Sequence, residues 1–288
     1  MLHAPKLRPL AIQTQLPAKF ARKRRSAWGD INLAGQELAC FLEGPAFDSA
    51  GNLYVVDIPF GRIFRIDTQR EWHLVIEYDG WPNGLKVEPD GRLLVADHKR
   101  GLVRVDPGSG RHEIVFDSIG GETLLGLNDL TYGPDGALYV TDQGQTGLHD
   151  PRGRVLRLAP GQPPEIVLDG IPSPNGLVFD RTKPWLYLAV TRGNAVWRVP
   201  LLEGKPTKVG IAIQLSGGLG PDGLALDPAG CLLVAHPMLG VWHFDRVNCA
   251  TALYRIDGDS YVTNLAVEGT RFLATDSIAG RIVAGDID

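Results

Sequence analysis

Short stretches in which apolar and polar residues alternate recur along the whole chain, each bounded by Gly, Pro, Asp or Asn. Alternation with a period of two is the pattern of a half-buried β-strand, and the bounding residues are turn formers. The pattern is also periodic at long range. Six segments align: EGPAFDSAGNLYVVD from Glu43, NGLKVEPDGRLLVAD from Asn83, NDLTYGPDGALYVTD from Asn128, NGLVFDRTKPWLYLAVT from Asn175, DGLALDPAGCLLVAH from Asp222 and NLAVEGTRFLATD from Asn264. Their starts lie 40, 45, 47, 47 and 42 residues apart. Each segment reads as strand, turn, strand, with turns such as Pro-Asp-Gly. A third strand follows in GRIFRID, GLVRVD, GRVLRLA, NAVWRVP, GVWHFD and GRIVAGD, and a fourth in stretches such as EWHLVIEYD and HEIVFDS.

Four short antiparallel strands in a repeat of this length make a propeller blade, so the chain predicts an all-β, six-bladed β-propeller. The sixth unit stops after its third strand. An N-terminal strand is expected to complete that last blade, and the apolar stretch GQELACFL at 35–42 is the candidate. The expected organisation is an N-terminal arm at 1–29 and one propeller domain at 30–288.

Composition narrows the partners. The 288 residues carry 29 Lys+Arg and 33 Asp+Glu, a formal charge of −4, and 44% are hydrophobic, an ordinary globular mixture. Without a basic excess, neither nucleic acid nor an acidic membrane is an expected partner. The 35 Gly and 21 Pro are spread along the chain, which argues against long helices. There is no apolar run of membrane-spanning length and no secretory-signal pattern, so a cytoplasmic location is expected. Cys40, Cys231 and Cys249 show no CxxC spacing and read as reduced packing residues.

The repeat itself locates the chemistry. Residues at the start of each innermost strand must form a ring around one mouth of the central tunnel. That ring is Glu43, Asn83, Asn128, Asn175, Asp222 and Asn264, all with side-chain oxygen acceptors. The second strands end at Asp57, Asp97, Asp142, Thr191, His236 and Asp276, which should return to the same face and complete an oxygen-rich cup. Turn geometry alone would account for Asn83, Asn175 and Asp222, each followed by glycine. It does not account for Glu43, Asn128 or Asn264. Carboxylates and amides without thiolate suit one hard divalent cation, calcium first, with magnesium, manganese or zinc as alternatives.

These residues resemble a known family. EGPAF at Glu43, ND at Asn128, SPNGLVFD around Asn175 and GPDGLALD around Asp222 are similar to the four signatures of the regucalcin/gluconolactonase (senescence marker protein) family of propeller lactonases. The resemblance implies that Glu43, Asn175 and Asp222 hold the cation, with Asn128 beside it as a further ligand or substrate contact. It also implies a hydrolase that opens a small lactone, with Asp222 as general base or, alternatively, as nucleophile. One departure stands out: Gly126 occupies the place where the sugar-lactonase branch has an arginine, two residues before Asn128.

Asn83, His236 and Trp81 complete the candidate substrate contacts, with Trp81 equally readable as packing. The long third-unit segment DQGQTGLHDPRG from Asp142 is a candidate wall or lid. The run ARKRR at 21–25 reads as a solvated arm or one folded over the propeller. Two other functions fit the same cup: an aryl-ester or organophosphate hydrolase, and a non-enzymatic ligand-binding propeller. No organic cofactor motif is present.

Overall fold

A computed structural model describes residues 4–287. Six antiparallel sheets stand in a ring, a six-bladed β-propeller. The innermost strands are Leu42–Phe47, Pro82–Val87, Leu127–Tyr132, Pro174–Phe179, Leu224–Leu226 and Val262–Glu268, one for each of blades I to VI. Each touches its neighbours on both sides and so encircles the tunnel.

Apolar residues on both faces of every blade are what hold the ring together, because each blade has a neighbour on either side. Six buried clusters result, one at each blade interface. Between blades I and II the cluster includes Val56, Ile63, Leu85 and Val95, and between blades VI and I it includes Leu42, Phe64, Trp72 and Ile282.

The ring closes through the N-terminus, but not through 35–42. Strand Ala11–Gln15 is the fourth strand of blade VI, antiparallel to Arg281–Asp286. Just before it, Lys6–Pro9 adds a fifth strand to blade V, parallel to Ala250–Arg255. The stretch 35–42 contributes one isolated bridge, Arg24 to Leu38, before Leu42 opens blade I. Its apolar residues Leu38, Cys40 and Phe41 are buried as packing between blades. An outermost strand has little to bury, and AIQTQ accordingly carries almost no hydrophobic signal.

The segment between these parts is folded over the propeller. Arg62 donates to the Phe20 and Ala39 carbonyls at 3.0 and 3.1 Å, and the Arg24 guanidinium lies 4.2 Å from the Phe60 ring centre. ARKRR is thus part of the covering over blade I. It leads into a short helix, Ala27–Asn32, whose N-cap Ser26 accepts the Gly29 amide at 3.0 Å.

Candidate active site

Local backbone irregularity aims the ring residues inward. In blades I, II, III, IV and VI the register between first and second strands slips at the ring position, for example between Glu43 and Ala46 and between Leu127 and Leu130. A bulge of this kind re-aims a side chain that regular pleating would send into a blade interface. In blade V the regular strand begins only at Leu224, past Asp222. The glycines after the ring residues are there for proximity rather than for a turn. A Cβ on Gly84, Gly176 or Gly223 would collide with Asp129, with the Asp222 backbone or with Asn264, each in the next blade.

These residues floor a cavity of about 640 Å³ at one mouth of the tunnel. Glu43, Asn83, Asn128, Asn175 and Asp222 all line it. Asn264 stands behind them and donates to Glu43 Oε2 at 2.9 Å, while the Gly44 amide donates to the same oxygen at 2.8 Å. The Asn175 amide lies close enough to Asp222 to lower its carboxyl. Asn128 Nδ2 donates to Gln143 Oε1 at 3.0 Å, and Gln143 in turn donates to Ser173 Oγ at 3.0 Å. Ser173 is held at φ 66°, a left-handed conformation that costs free energy in a non-glycine residue and recurs at functional sites.

Electrostatically the floor is short of positive charge. Burial pushes the Glu43 carboxyl up to about 7. Burial, then the Glu43 charge, raises Asp222 well above the carboxylate range, and burial raises Asp129 beneath them. Carboxyl groups crowded out of water behave this way unless a cation joins them. An all-oxygen set of two carboxylates and one amide, Glu43, Asp222 and Asn175, fits a hard dication.

The second-strand residues do not complete the cup as expected. Asp57, Asp97, Asp142 and Asp276 are fully buried and point into the fold. Each accepts the backbone amide that leads into its own inner strand: Phe41 at 2.7 Å, Trp81 at 3.0 Å, Gly126 at 2.9 Å and Tyr261 at 2.7 Å. In blades I, III and VI the other carboxylate oxygen takes an arginine Nε, from Arg62, Arg154 and Arg281 at 2.6, 2.8 and 2.6 Å. They are latches between strands. Thr191 alone of the six lines the cavity, and its hydroxyl donates to the Pro221 carbonyl at 2.8 Å, next to Asp222.

His236 is fully buried, with Nε2 against the Gly217 carbonyl and the Gly220 amide at 3.2 and 3.3 Å, so its ring positions the loop before Asp222 rather than facing the cavity. Trp81 packs against the cluster between blades I and II, with its ring centre 6.0 Å from that of His98, and is absent from the lining. His98 lines the cavity in its place. A Cβ on Gly126 would fall 2.5 Å from the His98 ring, which explains why position 126 has no side chain.

The walls held residues with no sequence signal. Helix Ala27–Asn32 brings Trp28 against Phe41, ring centres 4.7 Å apart, and Phe41 against Tyr261 at 5.6 Å, an aromatic wall on one side. On the other side stand Gln143 to His149 of the blade III loop, the segment expected as a wall or lid, and Arg192 of blade IV. Gln145 Nε2 reaches Asn32 Oδ1 at 3.4 Å, joining the two walls over the floor.

Asp227, Cys231 and His243, in blade V, form a second group able to hold a metal, their ligand atoms lying within 4.8 Å of one another. Asp227 accepts the Cys231 amide at 2.8 Å and pairs with His243 Nε2 at 2.9 Å. At the matching place blade II pairs Glu88 with Arg104 at 2.7 Å, so this contact is blade V's version of a structural link.

Fold and site together define a six-bladed propeller with an acid- and amide-floored cup at one tunnel mouth. The sequence profile of the SMP-30/Gluconolactonase/LRE-like region matches residues 41–275, and the chain belongs to that family. It is similar to the gluconolactonase of Zymomonas mobilis, 31% identical over 175 residues, which covers 54% of this chain and 49% of that protein. It is also similar to the lactonase drp35 of Staphylococcus saprophyticus, 27% identical over 239 residues, 78% of this chain and 70% of the relative. The match thus spans about half of the first relative's length. Among solved structures, a gluconolactonase from Xanthomonas campestris superposes with a TM-score of 0.78 at 23% identity, covering 96% of this chain and 98% of that one. A calcium-binding regucalcin from Agrobacterium tumefaciens gives 0.74 at 21% identity, covering 99% and 96%. At these identities the superpositions speak to the fold.

Proposed function

We propose that this protein is a divalent-metal-dependent hydrolase that opens the ring of a small lactone. The observation that carries the reading is the floor of the cup, where two buried carboxylates converge with Asn175 in an open cavity and, among the described residues, no cationic side chain pairs with them. Glu43, Asn175 and Asp222 would hold the cation. When bound, that cation supplies Lewis-acid polarisation of an ester carbonyl and neutralises charge developing on its oxygen.

The remaining steps belong to this chain. Asp222 accepts the proton of the attacking water. Asn128, its amide nitrogen fixed by Gln143, presents Oδ1 to the substrate, and Asn83 lines the same floor. Thr191 fixes the backbone beside Asp222. Membership of a family that includes a gluconolactonase and lactonases favours a lactone as the ester. The aromatic wall keeps an aryl ester as the second reading, since a planar ring matches Trp28 and Phe41.

A pH-stat assay across lactones and aryl esters, with chelator and then with restored calcium, tests both. Ring opening that vanishes with chelator and returns with calcium supports the first reading. Unchanged turnover in metal-stripped protein sinks the mechanism, and turnover of aryl esters alone moves the assignment to the second.

A further inference from the structure

The floor of the cavity is acidic, yet its rim carries one idle positive charge. Among the described residues lining the cavity, Arg192 is the only arginine or lysine, and its side chain makes no hydrogen bond or ion pair there. Other arginines of blade IV are engaged: Arg181 donates to the Pro228 and Leu226 carbonyls at 3.1 and 3.3 Å, and Arg198 stacks over Trp185 at 4.6 Å. Arg192 lies near enough to Asp222 for its charge to lower that carboxyl and the Tyr261 phenol, without pairing with either.

Its backbone is fixed. Arg192 is the middle residue of a 3-10 turn, Thr191–Gly193, closed by Asn194 in a left-handed conformation at φ 47°. The Thr191 amide donates to the Ser173 carbonyl at 3.0 Å, its hydroxyl holds Pro221, and Asn194 Nδ2 donates to the Gly217 carbonyl at 3.1 Å. The stem is guided too. A Cβ on Gly147 would meet Arg192 Cγ at 3.9 Å and His149 Nδ1 at 3.3 Å, so Arg192 and His149 flank one glycine of the blade III loop. Position 126, on the blade III side of the floor, has no room for a side chain beside His98.

An exposed guanidinium on a fixed turn, with unused donors, is a fork for a carboxylate or a phosphate. We propose that Arg192 forms an anion subsite at the rim of the cup, and that the substrate is a lactone bearing a carboxylate or phosphate substituent outside its ring. This rests on the lactonase reading: the ring ester faces the floor while the substituent reaches Arg192.

The test uses calcium-supplied protein and three lactones of one ring size, carrying a neutral, a carboxylate or a phosphate substituent, with wild type, Arg192→Gln and Arg192→Lys. Wild type is expected to favour at least one anionic lactone over the neutral one by tenfold or more in kcat/KM, mainly through KM, and the anion it prefers names the substituent. Arg192→Gln should erase that ratio and Arg192→Lys should keep part of it. No preference in wild type, or an equal loss on charged and neutral substrates in Arg192→Gln, overturns the subsite. The matching lactams, which resist hydrolysis, are titrated by Trp fluorescence as a second arm. Tighter binding of a charged lactam that disappears in Arg192→Gln upholds the subsite even if no lactone is turned over, in which case the proposed reaction falls alone. Equal binding of charged and neutral lactams by wild type overturns the subsite whatever the turnover shows.

Discussion

A carboxyl group buried beside another keeps its proton until a cation takes the proton's place, and Glu43 and Asp222 are such a pair. The sign of the pH effect follows. Glu43 titrates near 7 in the folded metal-free protein against an ordinary value of 4.5, so between these values the folded state binds more protons than the unfolded one. Stability of the metal-free protein should therefore fall as pH rises from about 4.5 through 7, and added calcium should restore it most at the alkaline end. Thermal melts with chelator and with calcium at pH 5 and pH 8 check this; a calcium effect larger at pH 5 contradicts it. Replacing Asp222 with Ala removes a charged ligand and the proposed base together. Turnover should drop by about 10²–10⁴-fold with no rescue by excess metal. Asn128→Ala should leave measurable activity that responds to substrate or metal concentration, because both carboxylates remain. Circular dichroism should show both variants folded, since the blade interfaces are apolar. A folded Asp222→Ala with near-normal turnover would move the base elsewhere in the cup.

Strands show why some of this was legible beforehand and some was not. Inner strands carry both the hydrophobic alternation and the ring residue, so Glu43, Asn83, Asn128, Asn175 and Asp222 could be placed around one cavity from spacing alone. The carboxylates that end second strands looked like further members of the cup, yet all four turn back into the fold, Asp97 on the Tyr78 hydroxyl and the Trp81 amide. The arginine at the start of the next strand, as in GRIF, GRVL and GRIV, is the signal that Asp57, Asp142 and Asp276 are latches. Edge strands have no such signal, and neither does Arg192, whose role depends on which loop lies beside it. The latches should be costly to break. Arg62→Ala leaves Asp57 buried without its partner and frees the Phe20 and Ala39 carbonyls, with an expected loss of about 3–5 kcal/mol in urea unfolding. Arg92→Ala, at the exposed Arg92–Asp90 pair, should cost about 0–1 kcal/mol. Equal losses from the two would mean the latch is not structural.

At the scale of the whole molecule, closure depends on pairing distant parts of the chain. Deleting residues 4–15 strips blade V of its fifth strand and leaves Arg281–Asp286 of blade VI as an open edge. Open edges recruit other chains, so light scattering should find oligomers where the full chain shows fewer. An unchanged size distribution would mean the edge is protected by other means. The same pairing orders events during synthesis. Gln15, the last residue of strand Ala11–Gln15, is added 266 residues before Arg281, since 281 − 15 = 266. At ordinary elongation speeds that is roughly 13 to 53 seconds. Throughout that interval Ala11–Gln15 has no partner, while blades I to V can assemble in turn as they emerge, Lys6–Pro9 joining blade V. Nascent chains arrested before blade VI should thus remain open to protease at their N-terminal segment, and become resistant only once the last strand has cleared the exit tunnel.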